Sequence, residues 1–252
     1  MKTTIIIPFK NLGDEDELRL ALRSIKKNVK FDYQIIIIGD APEWINKEKI
    51  TVLNPEFTPA DTHPKAFNVI DKMRFACESA DVTNKILMTY DDIIFLNPIK
   101  ATDVSTTVAL GMIPQDPNHK WTGSAAWVEV MRNTIAALKR NEMSTYNYET
   151  HLPRLFNKEK LASLFQKFGF KKRAYCLPTL YFNEYGSKVG VRCLDKNPKN
   201  TKVGLYENGD FEKRKEDFKT HLFLNWHQTQ WTPELKAHLF ELFPEKSPYE
   251  IN

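Results

Sequence analysis

Glycine is scarce in this chain, at nine of 252 residues. A chemistry built on a glycine-rich phosphate loop therefore has little material to work with. Cysteine is scarce too. Cys77, Cys176 and Cys193 are widely spaced and form no C-x-x-C pair, which argues against a zinc knuckle or a disulfide framework and favours a reducing compartment. Long apolar runs are missing. The run in residues 3–9 meets Pro8 before reaching the length of a signal-peptide core, and no stretch approaches bilayer-spanning length. The expectation is a soluble, cytoplasmic protein with no stable membrane insertion. No repeat and no clear linker divides the chain, so residues 1–252 are expected to form one domain.

Aromatic residues are plentiful: sixteen Phe, nine Tyr and five Trp can fill a sizeable core. The net charge of +4 permits an anionic partner but requires none.

The apolar pattern is most regular in the first hundred residues. Residues 3–9, 33–38, 50–53 and 85–89 read as strands apolar on both faces, and after Tyr90-Asp91-Asp92 residues 93–96 continue the apolar character. Leu18, Leu22, Ile25 and Val29 make one face of a helix, with Asp14 or Asp16 as its candidate cap. Residues 61–79 read as a second helix after Pro64, with Val69, Ile70, Met73 and Cys77 on one side. This order predicts an α/β fold, a mostly parallel sheet covered by helices on both faces. Later, 128–139 and 158–168 read as helices, 178–203 as loop-rich with a hairpin near Gly186, and 207–219 as a charged exposed segment. Thr232 and Pro233 open a last helix as N-cap and first-turn proline.

Open parallel sheets bind ligands beyond the carboxyl ends of their strands. Those ends carry Phe9-Lys10-Asn11, Gly39-Asp40 and Tyr90-Asp91-Asp92. The last is the sharpest feature, two adjacent carboxylates between apolar runs. Burying unpaired carboxylates is costly, and a hard divalent cation bridging to a diphosphate would offset the cost. A polar turn between two strands is the plainer alternative.

Residues 3–9, the following helix, 35–40 and 85–96 together resemble the nucleotide-binding half of GT-A-type glycosyltransferases. In that family an acid-x-acid motif ends the fourth strand and holds Mn²⁺ or Mg²⁺ with the sugar-nucleotide diphosphate. Tyr90 stands in the first acid's slot, so the chain departs from the motif there. The resemblance implies a GT-A-like fold in which residues 1–100 bind a nucleotide-sugar donor and the less regular 101–252 bind the acceptor. It implies Asp92 as metal ligand, and Pro8, Phe9, Asp40 and Asp91 beside the nucleotide or its ribose. Lys65 and Asn68 share a helix face and could meet the diphosphate or base; a solvated helix surface is the alternative. A late histidine often supplies a further metal ligand in such enzymes, which makes His221 a candidate, with His227 as the other choice. The implied activity is transfer of a hexosyl or pentosyl group to an acceptor hydroxyl.

The segment from Tyr90 to Phe95 is also similar to the Asn-Asp-Asp-hydrophobic-Phe segment of Stealth-type sugar-phosphate transferases, and 148–153 to their His-x-Pro region. That resemblance implies sugar-phosphate transfer as an alternative. Glu149 and His151, two apart, would share a face if extended, and are the candidate base and orienting group. Trp226 and Trp231 are candidates to stack on a sugar ring or to pack the core. A glycan or small molecule is the favoured acceptor. DNA with hydroxymethylated bases is a second possibility, tracked by the basic residues of 171–173, 196–202 and 213–219. A non-catalytic nucleic-acid-binding protein is the reading from a different class.

Overall fold

The computed structural model describes residues 2–56, 64–105, 108–114, 116, 119, 123–170, 173–186 and 201–251, with the side chains of 64–67 left aside. The fold is mixed α/β. Its main sheet contains β1 (Thr3–Phe9), β2 (Tyr33–Gly39), β3 (Thr51–Leu53), β4 (Lys85–Met88) and β6 (Arg154–Asn157), in the order β3-β2-β1-β4-β6. All pairs are parallel except β4 with β6, where Met88 faces Arg154. The second sheet holds β5 (Ile93–Phe95), β8 (Phe223–Trp226) and β7 (Lys202–Leu205), in the order β5-β8-β7.

Strand alternation sorts the isoleucines onto two faces. Ile5, Ile7, Ile35 and Ile37 point toward α1 (Asp16–Asn28) and meet its Leu18, Leu22 and Ile25. Ile6, Ile36 and Ile38 point the other way, where α2 (Pro64–Glu78) contributes Ile70 and Met73. The same face is covered by α4 (Ala125–Arg140), α5 (Lys158–Lys167) and α6 (Leu177–Tyr185). Two short helices, α3 (Ala101–Ser105) and α7 (Asp210–Arg214), lie in the connections. Helix α8 (Pro233–Leu242) is capped by the Thr232 hydroxyl, as its sequence predicts, and packs its Leu235 and Leu239 with Ile94, Leu224 and Trp226 of the second sheet.

The apolar run 93–96 forms β5 of the second sheet. The turn at 89–92 is therefore a link between sheets. The stretch beginning at Pro178, read as loop, lies in helix α6, whose Leu177, Leu180, Tyr181 and Phe182 are all buried. A short helix buried around most of its girth shows no apolar stripe to detect. The proposed hairpin near Gly186 extends into residues 187–200, outside the described residues. Both sheets draw strands from residues 1–100 and from 101–252. Strand β6 of the later half joins the main sheet, while β5 of the earlier half pairs with β8.

The end of the chain is clamped to α1. Arg23 donates through Nε and Nη2 to the two carboxylate oxygens of Glu250, both at 2.9 Å, and Arg19 Nη1 adds a third bond at 2.9 Å. Ser247 donates its N–H and hydroxyl to the same carboxylate. Burial alone would raise the Glu250 carboxyl; the bonds from Arg23, Ser247 and Arg19 outweigh it and hold the group at about 2, below its usual 4.5. A depressed carboxyl stabilises the fold above pH 4.5 and loses that contribution as pH falls toward 2. The loss should be about 2–3 kcal/mol. Glu250→Gln should cost at least as much at pH 7 and flatten that acid limb, as read by urea unfolding at several pH values. An unchanged limb in the variant would assign it to other carboxylates.

Candidate active site

The polar groups collect where β1, β2 and β4 end. Asp91 and Asp92 lie in the link from β4 to β5. Asp91 accepts from backbone N–H groups in its own turn and lies in the field of Lys72. Burial, and then repulsion from Asp92, push its carboxyl up to about 6. Asp92 meets a different partner. Both of its oxygens lie 3.1 Å from Nε2 of His151. The His151 ring stacks on Tyr90, with centroids 5.2 Å apart and planes 20° from parallel. Tyr90, in the slot where an acid was expected, thus supports the ring that meets Asp92.

His151 has φ of +50°, the left-handed region that a residue with a side chain seldom occupies. The segment 149–151 is therefore not extended, and the face that Glu149 and His151 were expected to share by strand alternation does not exist. A turn brings them together instead, and both line one cleft. Glu149 is partly buried and accepts a 3.2 Å hydrogen bond from the Thr179 hydroxyl. Burial raises its carboxyl above the usual range, against the opposing influence of Arg154 and Thr179.

Lys72 occupies the space between β1 and β2. It is 3% exposed and donates from Nζ to the Phe9 carbonyl at 2.5 Å. Burial lowers its pKa, while Asp40 and Asp91 act to raise it. Gly39 makes room for this arrangement. Its φ is +124°, and a Cβ there would lie 2.1 Å from the Phe9 carbonyl oxygen and 2.6 Å from Lys72 Nζ. Asp40 fastens the neighbouring loop, its Oδ2 accepting from Asn11 N–H at 2.9 Å. Asn68 is half-buried one turn before Lys72. Lys65 lies in α2, but its side chain is outside the described residues.

Other expectations are corrected. The Pro8 and Phe9 side chains are buried, Phe9 at 2% exposure in the core, so their rings do not present a nucleotide surface; Phe9 offers its carbonyl instead. His221 does not join Asp92. In the antiparallel pair, Ile93 faces Asn225 and Phe95 faces Phe223, so His221 lies past the opposite end, roughly 15 Å along the strand from Asp92. Its Nδ1 is 2.8 Å from the Asp217 carbonyl. His227 is at the nearer end, with Nδ1 against the Thr229 hydroxyl. Trp226 and Trp231 stack on each other at 4.9 Å, and Trp226 is buried. Three of the four basic side chains in 213–219 have acidic partners three residues away, which balances them locally: Lys215 with Glu212, Arg214 with Asp217, and Lys219 with Glu216. Lys171, Lys172 and residues 196–200 lie outside the described residues.

Several residues of the site were missed from sequence. Glu17, in the first turn of α1, accepts from Trp226 Nε1 at 2.8 Å. Burial raises its carboxyl to about 7, and Asp91, Asp92 and Asp14 add to the rise against the Trp226 bond. Lys202 is 8% exposed and donates to the Thr150 carbonyl and the Tyr206 hydroxyl, both at 2.8 Å. Tyr206 in turn donates to Asn225 Oδ1 at 3.2 Å. An acid at a helix start reads as a capping residue, and Lys202 lies in a short strand with no pattern of its own. Neither carried a usable sequence signal.

Among the described residues, no three His, Cys, Asp or Glu side chains converge as a ready metal cage. Asp92 with His151 forms a two-donor set, beside Asp91 and Glu17, whose carboxyls are raised first by burial and then by their acidic neighbours. This donor set suits a hard cation that takes one or two carboxylates and completes its shell with substrate phosphates and water. No helix among the described residues is long and apolar enough to cross a membrane.

No protein-family model matches the chain, and no curated protein sequence matches it. Among solved structures it is similar to the glycosyltransferase GlyE of Streptococcus pneumoniae TIGR4, at 10% identity over 98% of this chain and 62% of that one, with a TM-score of 0.47. The chain thus spans about three fifths of the length of that protein. It is also similar to the galactosyltransferase LgtC in complex with donor and acceptor sugar analogs, at 11% identity over 98% of both chains, with a TM-score of 0.49. A third is a glycosyltransferase involved in glycosylation of the major capsid of PBCV-1, at 12% identity over 95% of this chain and 98% of that one, with a TM-score of 0.41.

Proposed function

We propose that the chain is a GT-A-type glycosyltransferase that moves a sugar from a nucleoside-diphosphate donor to an acceptor hydroxyl. The observation that carries this reading is the placement of Asp91, Asp92 and His151 at the carboxyl end of the central parallel strand β4, with His151 on both oxygens of Asp92. Ligands of open parallel sheets bind at that end. In this reading Asp92 and His151 hold Mn²⁺ or Mg²⁺. The metal, when bound, would neutralise charge on the departing diphosphate. Lys72 ties α2 to the end of β1 and partly offsets the charge of Asp40 and Asp91. Asp40 stands at the end of β2 for the base or ribose, and Asn68 lies one turn before Lys72 on α2.

Glu149 is the proposed base. Burial raises its pKa, which makes the carboxylate a stronger proton acceptor, and Thr179 fixes one of its oxygens. Removing the acceptor's hydroxyl proton as the oxygen attacks requires no further group when the anomeric centre is inverted. His151, bound to Asp92, is placed to orient and ligate rather than to act as that base.

A thermal-shift panel of UDP-, GDP- and CDP-sugars, each with and without Mn²⁺, tests the reading. One nucleotide class should stabilise the protein in a metal-dependent way, by about 3 kcal/mol at a hundredfold excess over its Kd. No metal-dependent shift with any of them would contradict it.

A further inference from the structure

We propose that the acceptor carries an apolar body, an aryl or alkyl group joined to its hydroxyl-bearing part, and that the cleft beside Glu149 and His151 holds it. The inference rests on the glycosyl-transfer reading and narrows its acceptor class.

The stacked rings of Tyr90 and His151 stand between two unlike compartments. On one side are Asp92, Asp91 and Glu17, with the buried ammonium of Lys202 in the field of Asp92. On the other is a cleft of about 770 Å³, within the 300–1,000 Å³ range of small-molecule sites. Its described walls are mainly apolar: Ile70 of α2, Met88 of β4, Trp127 and Val130 of α4, and Tyr175 and Leu177 at the start of α6. Among the described residues no lysine or arginine lines it, and Glu149 places a carboxylate in its wall.

These walls discriminate by charge. A diphosphate moved into an apolar cleft beside a carboxylate would lose hydration and meet repulsion, so the donor's charged part belongs on the Asp92 side. An uncharged aryl or alkyl group gains by leaving water there. The polar groups at the Glu149–His151 wall then face the hydroxyl that reacts, with the apolar body extending away toward α4.

Trp127 is built to serve as the platform. It lies in the first turn of α4, where the Ser124 hydroxyl accepts its backbone N–H. Gly123, with φ of +116°, leaves room for the ring; a Cβ there would sit 2.9 Å from it. The side chain remains partly open to solvent, at 37% exposure for the residue, on a wall of the cleft. A broad aromatic surface held in place suits a flat or hydrocarbon group.

Matched glycosides test this directly. 4-Nitrophenyl and methyl forms of β-glucoside, β-galactoside and β-N-acetylglucosaminide would be titrated calorimetrically into the full chain, while release of nucleoside diphosphate from the sugar-nucleotide panel is followed separately. The nitrophenyl form of at least one sugar should bind about tenfold more tightly than its methyl partner. Trp127→Ala should bring that ratio toward one, and Val130→Asp should do the same from the opposite chemical direction. Equal binding of both forms of all three sugars overturns the proposal. So does an aryl preference that survives both substitutions. Donor turnover without an aryl preference leaves glycosyl transfer standing and removes the apolar acceptor. An aryl preference with no turnover of any sugar nucleotide removes the acceptor role itself.

Discussion

Asp92→Asn should abolish both turnover and metal-dependent nucleotide binding, while the fold survives. The carboxylate sits beside two others, Asp91 and Glu17, whose pKa values it helps to raise. Removing its charge relieves that repulsion, so thermal stability without ligand should hold or increase slightly. The amide can still hydrogen-bond His151 Nε2 but is a far poorer ligand for a hard cation. A variant that melts like the parent and shows no Mn²⁺-dependent shift with the preferred nucleotide is the expected pattern. Full turnover by Asp92→Asn would exclude its role. Asp91→Asn should be milder, because Asp91 is committed to backbone groups of its own turn and to the field of Lys72.

Glu149→Gln should have the second-largest effect, a loss of about 10²–10⁴ in transfer rate. Donor affinity should change little, because Glu149 faces the cleft across the Tyr90–His151 stack from Asp91 and Asp92. The glutamine can keep the hydrogen bond from Thr179 but cannot accept the acceptor's proton. Single-turnover transfer at saturating donor separates this from a binding defect. Near-parental transfer would place the base elsewhere or point to a retaining reaction, which needs no such base. His151→Ala should instead weaken metal-dependent nucleotide binding, since its imidazole meets Asp92.

The parallel sheet was legible because its strands are buried on both faces and their sequence is almost unbroken isoleucine: the runs ending at Phe9 and Gly39 could form little else. Helix α1 was legible through its apolar face. The Asp91-Asp92 pair was legible because two carboxylates followed a buried strand. Strands β6, β7 and β8 were not, since each has four residues and includes Arg154, Lys202 or Asn225 within its buried span. Those polar residues find partners in the folded loops: Arg154 reaches the Tyr148 and Leu152 carbonyls of the turn before it, and Lys202 reaches Thr150 across the fold. No local pattern announces such partners. The same holds for His151. Its place in a two-residue spacing with Glu149 suggested an extended strand, but its left-handed backbone turns the ring back onto Tyr90 and Asp92. The assignment of His221 failed for the complementary reason. Sequence distance from the last strand said nothing of which end of the antiparallel pair it would occupy.

Electron paramagnetic resonance of Mn²⁺, titrated with protein in the presence of UDP, GDP or CDP, tests the Asp92–His151 site most directly. With one of these nucleotides the parent protein should remove the free-ion signal at a protein concentration where Asp92→Asn and His151→Ala leave most of it. Equal Mn²⁺ capture by the parent and both variants, or no nucleotide-dependent capture by the parent, would contradict the site as assigned.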